Sequence, residues 1–267
     1  EARILLNEDP VKTEGGLSSG NAGESSNFLC YRALRLNYYA VTGLLARVCL
    51  YAGQRENAFN YSTEVIKASN NGIFPFVDRS LVNGTAQDPD RIFSPEVLFA
   101  LSDSQRGELF EEYFDPSLAP NMVFRMETDL LEQTIYGGTG TGGNLDDYRC
   151  RSNWISSGSA RYFYKYSDMT ESGRIENTMI PLLRLGEMYL IAAESQSNSL
   201  ANGVSYINTL RKNRGVSNLQ TLTTTLLQYE YIREVYGEGQ LFFMYKRMYS
   251  SIIRSNSATN NPAPSNA

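Results

Sequence analysis

The sequence predicts a mainly α-helical protein in which pairs of helices flank a long, irregular, loop-rich segment. Three observations lead to this prediction. Helical hydrophobic periodicity occurs near both ends of the 267-residue chain, over residues 36–69 and 182–214. Each of these regions contains a short break that divides it into two helices. Between them, residues 72–178 hold most of the Gly, Pro, Asn and Asp clusters that form turns.

The first helical pair is predicted over residues 36–52 and 56–69, with the break at Gly53. Small residues at Ala46 and Ala58 would let the two helices approach closely. Their spacing partly matches the tetratricopeptide repeat, in which two antiparallel helices carry small residues at fixed packing positions. We therefore expect a tetratricopeptide-like pair here.

The middle of the chain, residues 72–178, is predicted to be mostly loops with short strands. IFSPEVLFAL at 92–101 and RYFYKY at 161–166 have the composition of strands. The glycine-rich stretch 137–143 lacks the Gly-Lys-Ser/Thr ending of a phosphate-binding loop, so we predict a flexible surface loop there. Long irregular segments on a helical scaffold often build a binding face.

A second helical pair is predicted over Leu182–Gln196 and Ala201–Arg214. A closing helix should follow from about Thr225 to Arg254, with its core over 226–250, and should be interrupted near Gly237 and Gly239.

Charged residues occur inside the apolar segment 182–196, at Arg184, Glu187 and Glu194. A helix that is apolar on nearly all sides is buried, and buried charges must be paired. The closing helix offers partners, including Arg233 and Glu238. We predict that Arg184, Glu187, Glu194, Arg233 and Glu238 form a structural ion network between helices.

Three segments in fixed order carry a resemblance to a known family. They are RLGEMYLIAAES, YINTLRKNRGV and REVYGEGQLFFMYKR, and they lie between residues 180 and 249. In order and spacing they resemble the C-terminal signature of the SusD/RagB family of Bacteroidetes. Shorter matches occur at Asp147–Arg149 and at Lys165 and Tyr166. Family members are longer at the N-terminus, so the chain resembles the later part of one.

The resemblance implies a single SusD-like domain over 1–267. Its helical-repeat parts would be about 28–70 and 180–254, and its ligand region about 71–179. It also implies a cell-surface nutrient-binding protein, held to the outer membrane by a lipid anchor upstream of this chain. The partner that it implies is a TonB-dependent, SusC-like outer-membrane transporter.

Composition removes several other classes of function. The net charge of −5 and a pI near 5.0 oppose nucleic-acid binding, which needs a basic face. The chain contains no His, which excludes His-dependent catalysis and His metal ligands. Its three cysteines lack the spacing of metal ligands. We expect no catalytic residues, no metal and no cofactor.

Candidate ligand contacts come from an aromatic and polar segment, residues 144–166. Sugar-binding sites combine aromatic rings, which cover the apolar face of a sugar, with polar groups for its hydroxyls. On that basis we predict ligand contacts at Trp154, Tyr148, Asn153, Arg151 and Tyr162.

The predicted function is reversible binding of an oligosaccharide for delivery to the transporter. Two alternatives stay open. A tetratricopeptide-type module would bind a peptide or protein on its helical surface. A glycan-degrading enzyme would need two carboxyl groups held in different environments, and nothing in the sequence singles out such a pair.

Overall fold

The computed structural model describes residues 1–19, 29–83, 88–138, 140–158, 160–171, 173–196 and 199–250. The α-helices in these ranges are α1 (Ala2–Leu5), α2 (Val11–Glu14), α3 (Tyr38–Tyr51), α4 (Arg55–Asn70), α5 (Arg106–Tyr113), α6 (Tyr148–Asn153), α7 (Leu185–Glu194), α8 (Val204–Lys212), α9 (Thr224–Val235) and α10 (Leu241–Arg247). The strands are β1 (Val97–Ser102), β2 (Arg125–Glu127), β3 (Trp154–Ser157), β4 (Ala160–Phe163) and β5 (Met179–Arg184). The predicted mainly α-helical fold is confirmed.

The first helical pair, α3 and α4, is confirmed. Asn37 caps α3 by accepting a hydrogen bond from the Ala40 amide at 2.8 Å, which satisfies one of the free amides of the first turn. Gly53 makes the turn with φ +75°, a left-handed conformation that favours glycine. Ala46 and Ala58 are fully buried, which agrees with their predicted role in close packing.

The second pair, α7 and α8, is present, but the prediction that helix begins at Leu182 was wrong. Residues 182–184 belong to β5, which pairs antiparallel with β1. Pro181 disfavours helical backbone at the residue before it, and burial alternates from Met179 to Leu183, as on a strand. The helix α7 then runs from Leu185 with every residue to Ala193 buried.

The predicted interruption of the closing helix is confirmed. It is divided into α9 and α10, and Gly237 and Gly239 adopt left-handed φ values of +74° and +72° between them. The predicted continuation to Arg254 lies partly outside the described residues, which end at Ser250.

Two small sheets hold the middle of the chain, and both predicted strand regions are confirmed. The first sheet joins β1 to β5, and the second has the order β2-β4-β3. The glycine-rich stretch is exposed at Gly137 and Gly140, as predicted, but the next two residues are held by hydrogen bonds. There the carbonyls of Thr141 and Gly142 accept hydrogen bonds from Arg233 and Arg211 at 2.7 and 2.8 Å.

The main hydrophobic core lies where α4, α8 and α9 pack around α7. No helix within the described ranges combines the length and apolar character needed to cross a bilayer. The loop-rich middle segment thus packs on a helical core whose central helix, α7, is buried.

Candidate functional site

A buried ion network connects the middle segment to the helices. It centres on two carboxylates of α9, Glu230 and Glu234. Glu234 accepts hydrogen bonds from Arg214 at 2.7 Å, from Arg184 at 3.0 Å and from Arg149 at 3.1 Å. The other members are Asp147, Glu96, Arg211, Arg233, Lys165 and Glu238, and no side chain in the network is more than 4% exposed.

The electrostatics of the network favour the charged state of Glu234 and oppose that of Lys165. Burial alone raises the pKa of Glu234, but the guanidinium groups of Arg214 and Arg184 outweigh burial and hold that pKa well below its ordinary value. Burial lowers the pKa of Lys165 to about 8, against the opposing effect of its partner Glu238. Gly186 makes room for the network, because a Cβ there would lie 2.1 Å from Glu234 Oε1.

The five residues predicted for an ion network all make ion pairs, at different places. Arg184, Arg233 and Glu238 belong to the network around α9. Glu187 instead pairs with Arg47 of α3 at 2.6 Å, and Glu194 pairs with Arg247 of α10 at 2.7 Å.

A second cluster, of aromatic rings, lies at the second sheet. Trp154 packs against Phe163 and Tyr236, with ring centroids 5.0 and 5.1 Å apart. Phe163 and Tyr236 are themselves 5.2 Å apart. Trp154 and Phe163 are buried, so these three rings form a packed aromatic floor.

Further rings extend from this floor to the surface, and we call them the aromatic face: Phe114, Phe124, Tyr164 and Tyr166. Phe114 and Phe124 lie 5.7 Å apart, and Phe124 lies 6.2 Å from Tyr236 of the floor. Phe124 is 48% exposed and the other three are half-buried. The aromatic face therefore offers ring surface to solvent while resting on buried rings.

Polar groups border the aromatic face. The carboxylate of Asp115 accepts a hydrogen bond from the Ser117 amide at 2.7 Å, which lowers its pKa. Burial, and then the charge of Asp115, raise the pKa of Tyr164. The Arg91 guanidinium lies 5.9 Å from the Tyr164 ring centre. An anionic carboxylate and a cationic guanidinium group, both able to form hydrogen bonds, thus lie beside apolar ring surface.

The residues predicted as ligand contacts occupy three different environments. Trp154 and Tyr162 belong to the second sheet and are 6% and 7% exposed. Tyr148 and Asn153 of α6 are also buried, and Tyr148 packs in a separate cluster with Val77 and Val82.

The fifth predicted contact, Arg151, is exposed and pairs with Asp146. Ligand contact at all five residues stays a prediction.

The family follows from the sequence across the second half of the chain. A model of the SusD family matches residues 103–263. The chain belongs to the SusD family. No curated protein matches it.

Solved structures of SusD-like proteins share the fold. A SusD superfamily protein from Bacteroides thetaiotaomicron VPI-5482 superposes with a TM-score of 0.63 at 18% identity, over 92% of this chain and 57% of its own. A SusD-like carbohydrate binding protein from Bacteroides vulgatus ATCC 8482 gives 0.56 at 18% identity, over 95% and 52%. A laminarin binding SusD-like protein gives 0.51 at 16% identity, over 80% and 55%. The chain thus spans about half the length of these SusD-like proteins.

Sequence analysis of this SusD-family chain missed the rings that reach solvent. Phe114 and Phe124 lie on either side of a turn-rich stretch without helical or strand periodicity, so no pattern assigned them a face. The feature of the sequence that could have indicated these rings is the high frequency of aromatic residues in 110–124. This stretch contains Phe110, Tyr113, Phe114 and Phe124 among turn-forming residues.

Proposed function

We propose that the chain binds carbohydrate reversibly through the aromatic face. The observation that carries the proposal is the set of solvent-reaching rings supported by a buried aromatic floor. A flat ring covers the apolar C–H face of a sugar, and nearby charged groups such as Asp115 and Arg91 can bond its hydroxyls. Because Phe114, Phe124 and Tyr166 already contact one another or the floor, and Tyr164 packs against Phe110, little side-chain freedom is lost on binding.

Two of the structural relatives support a carbohydrate ligand. One is described as a laminarin binding SusD-like protein and another as a SusD-like carbohydrate binding protein. Their likeness to this chain is one of fold, so the choice of sugar for this chain is part of the proposal.

The predicted contacts fit the proposal in two ways. Trp154 and Tyr162 would support the binding rings from beneath, because both are buried in the sheet. Arg151 is exposed and would be available to hydroxyl or acidic groups of a longer glycan.

We further propose that binding takes place at the cell surface. A lipid anchor on polypeptide before residue 1 would hold the protein to the outer membrane, and a TonB-dependent, SusC-like transporter would receive the glycan. Membership of the SusD family supports this part of the proposal. Delivery requires release, which suits shallow ring stacking better than a closed site.

Calorimetric titration of the 267-residue chain with laminarin oligosaccharides, followed by a panel of other glycans, tests the proposal. We expect Phe124→Ala to weaken binding about fivefold, as the loss of ~1 kcal/mol of ring contact implies. The matched control is Phe242→Ala, which removes a 63% exposed Phe from α10 and should leave affinity unchanged.

Several results would contradict the proposal. Equal loss of affinity in both variants would place the glycan elsewhere. Binding of peptides but no glycan would favour the peptide-binding alternative. Release of new reducing ends from a bound glycan would show catalysis.

A further inference from the structure

The outer surface of α3 is apolar where solvent would favour polar residues. The helix reads YYAVTGLLARVCLY, and Arg47 is its only charged residue. Leu44, Val48 and Tyr51 are 42%, 54% and 47% exposed, at spacings of four and three residues. They form one stripe along the helix, which we call the α3 stripe. A helix that is apolar on all sides is normally covered on all sides.

A groove runs beside the α3 stripe, between α3, α7, α9 and α10. Its volume is 410 Å³, and the side chains of Ile191, Val235 and Met244 line it. On the α10 side Phe243 is 48% exposed and lies edge-on to Tyr51, with ring centroids 6.2 Å apart. The groove and the stripe thus form one continuous apolar surface.

The charges at the groove are already neutralised. Arg47 pairs with Glu187 at 2.6 Å, and Arg247 pairs with Glu194 at 2.7 Å. Among the described residues, the charged residues that line the groove are Arg47, Glu187 and Arg247. Glu194 is the ion-pair partner of Arg247. An occupant therefore gains little from carrying charge and most from apolar contact.

The α3 stripe has the pattern of residues that packs against another helix. A second pocket of 480 Å³ adjoins the groove and shares the wall residues Leu50 and Tyr51. Its lining is mixed, with Leu200 and Leu227 beside the polar or charged residues Arg55, Gln196 and Thr224. Apolar residues at spacings of four and three form the ridge that packs against another helix. In folds built from helical pairs, each pair buries its apolar face on the next pair. The solved SusD-like structures contain almost as much polypeptide again as they share with this chain, so their fold has further elements that could stack.

We propose that the α3 stripe and the adjoining groove receive an amphipathic α-helix from polypeptide outside these 267 residues. The incoming helix lies along α3 and presents aliphatic or aromatic residues at i, i+4 and i+7 to Leu44, Val48 and Tyr51. The proposal is independent of glycan binding at the aromatic face, which lies on other elements.

A fluorescein-labelled synthetic helix of about 20 residues, with leucines on one face, is the probe. Its control has the same composition in scrambled order. Fluorescence anisotropy with the 267-residue chain should show binding of the amphipathic peptide and not of the scrambled one. Val48→Glu should weaken binding at least tenfold, because it places a charge at the centre of the stripe.

Leu101→Glu is the matched control, since it changes a 51% exposed residue on β1, and it should leave binding unchanged. Tyr51→Ser repeats the test should Val48→Glu fail to fold.

Four outcomes would overturn the proposal. One is no binding of the amphipathic peptide, or equal binding of the scrambled peptide. A second is unchanged affinity in Val48→Glu and Tyr51→Ser. A third is a dimer in sedimentation that Val48→Glu abolishes, which would make a second copy the occupant. The fourth is a several-fold gain in peptide affinity on deleting residues 251–267, which would make the chain's own C-terminus the occupant.

Discussion

Replacing Glu234 with Gln should strongly destabilise the protein. The Glu234 carboxylate is buried and accepts hydrogen bonds from Arg149, Arg184 and Arg214. A Gln side chain keeps the shape but loses the charge, and its amide NH₂ would face a guanidinium group with donors on both sides. Removing one partner from a buried ion pair costs ~3–5 kcal/mol.

The contacts that the three arginines keep place the expected loss of stability at the lower end of that range. Arg214 keeps Glu96, with a hydrogen bond of 2.6 Å, and Arg184 keeps Glu238 at 2.7 Å. Arg149 keeps Asp147 at 2.5 Å. No arginine is left wholly without a carboxylate, so we expect a loss of about 3 kcal/mol in the free energy of unfolding at pH 7. This is a large share of the ~5–15 kcal/mol typical of a folded domain.

Urea unfolding followed by circular dichroism measures the effect. Glu171→Gln is the control, because Glu171 is exposed and its pairing with Arg174 spans 3.7 Å, and it should change stability by less than ~0.5 kcal/mol. The pKa of Glu234 is lowered in the fold, so its contribution is present above the unfolded-state pKa and is lost as pH falls through the folded-state pKa. Glu234→Gln should therefore flatten the acid branch of the stability profile. A loss below ~1 kcal/mol would refute the view that this carboxylate is the centre of the network.

Two other substitutions test neighbouring parts of the structure. Trp154→Ala should cost ~3–5 kcal/mol of stability in thermal or urea unfolding, because the ring is buried between Phe163 and Tyr236; an unchanged melting temperature with weaker glycan binding would instead support direct ligand contact. Burial lowers the pKa of Lys165 to about 8, so between pH 8 and the higher unfolded-state pKa the unfolded chain binds more protons. This group should make unfolding free energy rise with pH from about 8, and Lys165→Met should lack that rise; parallel profiles would contradict the shift.

The helical part of the fold was predictable because its patterns are local. Gly53 and the small residues Ala46 and Ala58 marked the first pair, and the glycines after α9 marked its end. The strand β5 was missed because MIPLLR continues directly into the apolar helix α7, and its pairing with β1 is a contact between residues distant in the sequence.

The site was less predictable because it depends on contacts between distant residues. Glu96 and Arg214 are 118 positions apart and form hydrogen bonds of 2.6 and 2.7 Å. Phe124 and Tyr236 meet across a similar separation. The sequence places Glu234 among the possible partners of the buried arginines, but the role of Glu230 as a second acceptor and the exposed ring of Phe124 are seen only in the folded structure.

The ion network also constrains the order in which the protein can be completed during synthesis. Arg149, Arg184 and Arg214 leave the ribosome before α9, which carries the carboxylates that they share. Until Glu230 and Glu234 emerge, burying these guanidinium groups would leave them short of partners, so they stay hydrated. The centre of the nascent chain therefore remains open to water until nearly all of the described chain has been made. A ribosome that stalls before residue 230 would hold a chain in which Arg149 and Arg214 have Asp147 and Glu96 as partners. Arg184 would still lack Glu234 and Glu238, the two carboxylates that it pairs with in the folded protein.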